Sequence, residues 1–537
     1  MKRLYGDENK ILNRTIKMKK IYKNILNAII IALLLGAGGA VVLSCDKTVT
    51  EPIKEAYIPT KLDENAGTWK PYILTSSSEV AVAAPKATTD AAYLKELDSL
   101  KNKIMPVLTP ANKDAIAYWG AGAVYRWNEI ARELAARYNL APASNAEGKY
   151  PVPDAANPLA DPKFPFANPP YTARMLAYLS VAQYDALLSA WNYKYKYNRK
   201  APSKNDATIS TLLPVSDLPS YPSEDAVVAA ASYTILVAMF PGEVPYLDTK
   251  LAEAKNARVW AGANVPSDIT AGDALGKAVA AKVMAKARVD GMSTSNNQTL
   301  VAGQIEAAKS RGIKDTWVSQ EAPARPPMLP NYGAVSTWNF DRKTLESIRP
   351  VIPYIVGSTE WQKEYEELEK INKSQTREQA RIANYWADGA GSYTPPGHWT
   401  REAANLCHEN KFSEVASART QALVSTALMD AGIACWETKY YYYTPRPQQF
   451  GLKTSVGLPN FPSYTSGHST FSAAAATVLG AIFPSKATEM NAKALEASNS
   501  RVYGLIHFRI DCELGLAHGK KIGEYAIARG KADGSGY

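Results

Sequence analysis

Three short blocks near the C-terminus hold the side chains best suited to chemistry: Lys439 with Arg446-Pro447, Ser466-Gly467-His468, and Ser500-Arg501 with His507 and Asp511. They supply three fixed cations, two histidines and a carboxylate. A lysine gives a point charge, and an arginine fork donates paired hydrogen bonds to phosphate-like oxygens. The implied guest is a tetrahedral oxyanion: phosphate, vanadate or a phosphoester. Ser466-Gly467-His468 ends a Pro/Ser/Tyr loop that enters an Ala-rich helix after Ser469, so backbone amides and the helix N-terminus face an anion. Ser466 reads equally well as an ordinary N-cap. Gly467 admits a close backbone approach, and His468 then projects beside the guest to exchange a proton. Arg501, His507 and Asp511 are read onto one helix, where His507 and Asp511 share a face at i,i+4. The carboxylate holds Nδ1–H and leaves Nε2 free to attack or to ligate. Alone, the Lys439–Arg446 pair reads as a solvated basic face, and a His/Asp pair at this spacing is usually structural. Their joint occurrence in this order carries the chemical reading.

The elements that must position these blocks read as helical. From Ala115 onward, Ala-rich segments carry apolar residues at helical spacing over Trp119–Tyr138, Thr172–Trp191, Asp225–Phe240 and Thr270–Val289. Strand-like alternation is scarce. The chain also repeats itself. Leu218-Pro219-Ser220-Tyr221 aligns with Phe461-Pro462-Ser463-Tyr464, and the same gapless offset of 243 residues carries Arg258 onto Arg501, Asp268 onto Asp511 and Gly276 onto Gly519. At an offset of 245, Asp185 matches Asp430 and Lys194 matches Lys439. In the first copy the chemistry is missing: Asp225 stands opposite His468, Glu224 opposite Gly467, Asn264 opposite His507 and Ala201 opposite Arg446. An Asp and a Glu repel an anion, so catalysis is assigned to the second copy alone.

Residues 1–45 read as a lipoprotein signal peptide, with a basic start, an apolar run from Ala28 to Leu43 and a lipobox-like Val42-Leu43-Ser44-Cys45. That run is short for a membrane span. Cys45 is the expected lipidation site, giving an exported, membrane-anchored lipoprotein of the periplasm, outer membrane or cell surface. The leader holds eight Lys/Arg against two Asp/Glu, so only +4 of the net +10 remains for the rest of the chain. With no basic cluster or nucleic-acid motif there, no nucleic-acid partner is expected. Cys407, Cys435 and Cys512 lack metal-ligand spacing and allow at most one disulfide; buried thiols are the simpler reading. The expected organisation is a tether and extended docking segment over 46–113, a degenerate helical repeat over 114–300, a connecting segment over 301–400 and a catalytic helical repeat over 401–537.

Lys-x6-Arg-Pro, Ser-Gly-His and Ser-Arg-x5-His-x3-Asp together resemble the signature of the superfamily joining type 2 phosphatidic acid phosphatases, bacterial acid phosphatases and vanadium-dependent haloperoxidases. The resemblance is specific over 430–525 and weaker over about 115–430. It implies an all-α fold of packed helical bundles, which with the internal repeat becomes two bundles, only the C-terminal one catalytic. It implies an oxyanion held by Lys439, Arg446, Ser466, Gly467 and Arg501, with His468 as acid/base. His507 is then the nucleophile that forms phosphohistidine or the axial ligand of vanadium.

Two reactions fit the same cage. As a haloperoxidase, the enzyme would use vanadate as cofactor and oxidise halide with hydrogen peroxide, Lys439 polarising the bound peroxide. As an acid phosphatase, it would need no cofactor and hydrolyse a phosphomonoester. Trp436, three residues before Lys439, the Phe-Pro-x-Tyr-x-Ser-Gly-His form of the second block and the long duplicated body lean toward the bacterial haloperoxidase-like members. Membrane lipid phosphatases are disfavoured, because no multi-span apolar pattern follows Cys45. The resemblance also implies that Asp388, after Trp386-Ala387, orients Arg501. His398 either lines the entrance or caps the following helix, and His408 and His518 are expected to be structural. A non-catalytic surface lipoprotein is the reading from a different class, and the intact His468 and His507 weigh against it.

Overall fold

The computed structural model describes residues 54–140, 147 and 168–536; the expected signal peptide and Cys45 lie outside them. Glu55 to Tyr537 form one compact unit. Among the described residues there is no strand, and no helix is long and apolar enough to cross a membrane.

Among the helices of the described residues, nine carry the repeat and the site: α1 (Pro169–Tyr197), α2 (Glu224–Met239), α3 (Val244–Trp260), α4 (Pro266–Ala287), α5 (Thr394–Glu409), α6 (Glu414–Tyr442), α7 (Gly467–Ile482), α8 (Ala487–Tyr503) and α9 (Arg509–Lys531). Helix lengths recur: α1 and α6 have 29 residues, α2 and α7 have 16, and α3 and α8 have 17. Local chemistry recurs as well. Asn168 caps α1 and Ser413 caps α6, each through its side chain, while Asn198 and Tyr443 end those helices in the left-handed region at φ 49° and 52°.

Helices α1 and α6 are buried almost all round, so they form the central pair rather than amphipathic surface helices. At their crossing Ser180 Oγ and Ser425 Oγ lie 3.1 Å apart, so positions 245 residues distant in sequence meet each other. Each central helix carries a buried aspartate satisfied by an extended segment. Asp185 accepts from the amides of Tyr72, Ile73 and Leu74 at 2.8, 2.7 and 3.0 Å. Asp430 accepts from the amides of Trp338 and Asn339 and from Asn339 Nδ2 at 2.7, 3.0 and 2.9 Å. Burial lifts both carboxyls, to about 6 and about 7, against the pull of those amides.

Residues 72–74, within the expected 46–113 segment, thus lie against α1. Two expected boundaries fall within helices, since Pro110–Trp119 crosses 113/114 and α5 crosses 400/401. The periodic run from Trp119 to Tyr138 is broken before Ala123, where Gly122 adopts φ 111°. Cys407, Cys435 and Cys512 are free, buried thiols.

Helix α7 packs between α9, α8 and α6, as α2 packs on α4 and α1. The closest approaches need glycine: a Cβ at Gly519 would strike the Thr470 carbonyl, and one at Gly276 the Val227 carbonyl. Gly519→Ala must push α9 off α7 and is expected to cost roughly 1–3 kcal/mol. Chemical denaturation checks this; stability equal to wild type would refute the close approach.

Candidate active site

The last turns of α6 carry Lys439 to the centre of the second half, where it is fully buried. Its Nζ donates to the carbonyls of Pro462, Ser463 and Thr465 at 3.0, 2.6 and 2.5 Å. Arg446, in the loop after α6, is equally buried. It donates from Nε to Phe461 O at 2.9 Å and from Nη1 to Ile506 O at 2.7 Å. Arg501, near the end of α8, donates from Nη2 to Trp386 O at 2.9 Å and Ala383 O at 3.2 Å. Among the described residues none of these three cations is ion-paired. Burial pushes the Lys439 ammonium down to about 8 and holds both guanidinium groups below their ordinary values.

The contrast with the first half is direct. Lys194 Nζ donates to Pro219 O at 2.5 Å, as Lys439 does to Pro462 O, but also meets Glu224 at 2.7 Å. Arg258 meets Asp225 at 3.0 Å. There carboxylates meet the cations directly; among the described residues no carboxylate ion-pairs with Lys439, on which Asp511 acts only through its charge.

Ser466 is the N-cap of α7, its Oγ accepting from Ser469 N at 3.3 Å, and the helix starts at Gly467 rather than after Ser469. Gly467 and His468 thus occupy the first helical positions, whose amides have no intrahelical acceptor. The capping role and the anion-facing role of this block coexist. Burial, then the Arg501 charge, hold His468 well below its ordinary value, and its Nε2 is buried without a partner.

The single helix expected for Arg501, His507 and Asp511 is corrected. Helix α8 ends at Tyr503, Leu505 turns through φ 59°, and α9 begins at Arg509. Gly504 after the periodic run and Asp511 three residues beyond Phe508 are stop and start signals that mark this break in the sequence. Asp511 caps α9 by accepting from Phe508 N at 3.2 Å, and it also lies 2.9 Å from His507 Nδ1. The His/Asp pair therefore survives across a turn. His507 is buried and held well below its ordinary value by desolvation, then by Arg446 and Lys439. A neutral ring donating Nδ1–H to Asp511 presents an Nε2 lone pair, 3.5 Å from Arg446 Nη1.

The sequence reading gave Ser463 and Phe461 no role in the site, although Phe461 opens the Phe-Pro-x-Tyr-x-Ser-Gly-His block. Ser463 Oγ donates to Asp511 Oδ2 at 2.5 Å and lies 3.1 Å from His507 Nδ1. Its only sequence signal was its place in the repeated Pro-Ser-Tyr. The Phe461 ring lies 5.1 Å from Lys439 Nζ and 5.0 Å from Arg446 Cζ, and it packs on Trp436 at 4.8 Å. Trp436 Nε1 donates to Met328 O at 3.2 Å.

Burial raises Asp511 to about 6, with the Ser463 hydrogen bond acting against it. Asp511 must be ionised to hold the His507 ring, so activity is expected to fall as pH drops through about 6. Ser463→Ala removes a stabiliser of the carboxylate and should move that acid limb upward; a pH–rate profile with an unmoved limb would refute the coupling.

Asp388 influences Arg501 through its charge, but its hydrogen bond goes to His398, Oδ1 to Nδ1 at 3.3 Å. The direct orienting contact expected between Asp388 and Arg501 is absent from the described hydrogen bonds. His398 is the fifth residue of α5, whose N-cap is Tyr393, so the capping role offered for it is not what it does; it stacks on Trp386. His408 contacts the Glu55 carbonyl, and His518 is buried on α9. Among the described residues no group of three or more His, Cys, Asp or Glu is arranged to hold a metal ion.

The helical fold thus brings three buried cations, a capped helix N-terminus and two histidines into one cage. Residues 419–523 match the PAP2 superfamily model, a span that includes Lys439 through Asp511. That match supports an enzyme of this superfamily. Its fold is similar to that of a bacterial vanadium-dependent iodoperoxidase, with a TM-score of 0.51 and 21% identity over 67% of this chain and 91% of the other. Two structures of bacterial vanadium-dependent chloroperoxidase also match. The apo form gives a TM-score of 0.47 at 13% identity over 68% of this chain and 95% of the other. The holo form gives 0.48 at 14% identity over 71% and 96%. No curated protein matches the chain.

Proposed function

We propose that this protein is an exported, vanadium-dependent haloperoxidase-like enzyme that oxidises halide with hydrogen peroxide. One observation carries the oxyanion reading: Lys439, Arg446 and Arg501 are buried together with no direct ion pair among the described residues, in a chain whose first half pairs the corresponding Lys194 and Arg258 with carboxylates at contact distance. Buried charge left unpaired is costly, so a bound anion relieves a penalty that the protein alone carries.

The residues fit vanadate. Lys439, Arg446, Arg501 and the α7 amides would hold its oxygens, and His507 Nε2 would face its metal atom. When bound, vanadate supplies the activation of hydrogen peroxide toward halide. The chain's own part is to neutralise oxyanion charge, to keep Nδ1 of His507 donating to Asp511, and to hold a proton-exchanging ring at His468. Phe461 and Trp436 wall the cage with apolar surface and strengthen its electrostatics by excluding water.

A phosphomonoesterase is the second reading, favoured by a His507–Asp511 dyad complete without any cofactor. There His507 Nε2 attacks phosphorus in line as the ester oxygen leaves with a proton from His468. Water, deprotonated by His468, then cleaves the phosphohistidine to give phosphate. A bound anion opposes the Arg501 charge beside His468 and favours the protonated ring that this step needs.

One comparison separates them: p-nitrophenyl phosphate hydrolysis against peroxide-dependent iodide and bromide oxidation, in metal-free protein and after orthovanadate loading. Halide oxidation that requires vanadate supports the first reading. Phosphatase activity inhibited by vanadate, without halide oxidation, overturns it in favour of the second. Export through a lipidated Cys45 belongs to the same proposal, and Cys45→Ser should release the protein from the membrane fraction.

A further inference from the structure

We propose that His398 is a positioning residue for the cage: stacked on Trp386 and hydrogen-bonded to Asp388, it fixes the backbone segment that holds Arg501 and borders His468. The inference rests on the oxyanion-cage reading. Trp386 O accepts from Arg501 Nη2 at 2.9 Å, and Ala383 O, one turn earlier, accepts at 3.2 Å. The backbone at Trp386 and Ala387 borders His468 and favours its protonated ring against the effect of burial. One short segment therefore sets a cation and lies beside the acid/base ring.

That segment is poorly able to hold itself. Asp388 and Thr394 adopt φ 41° and 62°, and left-handed conformations of non-glycine residues persist only where surroundings impose them. Trp386 is anchored to α8 through Nε1 and Glu496 at 2.8 Å. Trp399 of α5 stacks on Trp386 at 6.0 Å and Asn139 donates to the carbonyls of Gly389 and Ser392, but His398 is the α5 side chain that meets both Trp386 and Asp388. Its ring is parallel to Trp386, with centroids 4.4 Å apart at 14°, and Tyr385 and Tyr393 close its edges at 5.5 and 6.4 Å. Its Nδ1 lies 3.3 Å from Asp388 Oδ1, with the two side chains only 4% and 7% exposed. Asp388 Oδ2 is buried without a partner, so the His398 bond is what fixes the rotation of this carboxylate. The carboxylate charge in turn supports Arg501.

Two variants separate the hydrogen bond from the stack. His398→Phe keeps a ring on Trp386 and loses the donor to Asp388; His398→Asn keeps a donor and loses the ring. Both are made in the full chain, with sulfate affinity by calorimetry, thermal melting, and histidine-selective NMR, which the five histidines make tractable. His398→Phe is expected to lower sulfate affinity by about 10-fold, the scale seen when outer partners of a site are removed. It should also shift the His468 resonance while leaving His518 and the melting temperature in place, and His398→Asn should recover most of the affinity. Wild-type affinity and an unmoved His468 resonance in His398→Phe would overturn the proposal. So would equal losses in both variants that track a lowered melting temperature, which is a purely structural effect. If His398→Phe fails to fold, His398→Asn decides: near-wild-type affinity upholds the donor's role and a loss like that of Arg501→Ala overturns it. If the wild-type protein binds no sulfate, the cage reading itself fails, and the His468 resonance still reports on His398 in the anion-free protein.

Discussion

Alanine in place of His507 is expected to abolish turnover, by at least about 10³-fold in kcat, while the protein stays folded and still binds sulfate. The size follows from the position of Nε2 on the cage side, with Nδ1 tied to Asp511. No other nucleophilic ring is backed by a carboxylate within the cage. The preserved fold follows from the partners left behind. Asp511 keeps Ser463 Oγ at 2.5 Å and Phe508 N at 3.2 Å, so no carboxylate is orphaned when the ring is removed. Preserved anion binding follows from charge: His507 is held neutral, and the attraction comes from Lys439, Arg446 and Arg501. Turnover and a sulfate titration on His507→Ala check both halves. Full turnover in a folded variant would remove His507 from the mechanism under either reaction.

The second large effect concerns Lys439. Lys439→Met is expected to weaken sulfate binding by about 100-fold, near 2.7 kcal/mol, the scale of one buried charge-assisted contact. Lysine charge in the anion-free protein is present below about 8 and lost above it. Sulfate keeps constant charge across that range, so wild-type affinity should fall about tenfold per pH unit above 8. Lys439→Arg should shift this decline to higher pH. The stability consequence has a definite sign. Between about 8 and the ordinary value of 10.5 the unfolded chain binds a proton that the folded Lys439 does not, so Lys439 makes the anion-free protein gain stability as pH rises through that window. The difference between wild type and Lys439→Arg isolates it. A flat sulfate profile in the wild type would show that Lys439 stays charged throughout.

Much of this architecture was legible in the chain because the cage is built from residues with strong local grammar. Ser466 announces a helix start, Ala-rich periodicity announces the helices, and the constant offset between Asp225 and His468 exposes the repeat. Other features depended on tertiary contact and left little trace. Trp386 matters to Arg501 and His468 through its backbone rather than its side chain, and no residue type encodes that use of a backbone. Phe461 lies over two cations only because α6 and the loop before α7 converge. Asp388 was read toward Arg501, and its hydrogen bond to His398 became visible only when α5 folded back over the Trp386 segment. The break between α8 and α9 is a different kind of miss. Gly504 and Asp511 signalled it, but the i,i+4 spacing of His507 and Asp511 invited a continuous helix.

The carboxylate of Glu224 gives the molecule an internal blank. With its ammonium already committed to Glu224 at 2.7 Å, Lys194 occupies a position comparable to a binding site titrated to completion before any ligand is added. Calorimetry should therefore close at a stoichiometry of one anion per chain, and any residual heat in Lys439→Met can be assigned to the rest of its own cage. Glu224→Gln would reopen the first half, and a second binding step appearing in that variant would measure what a covalently attached anion had been worth.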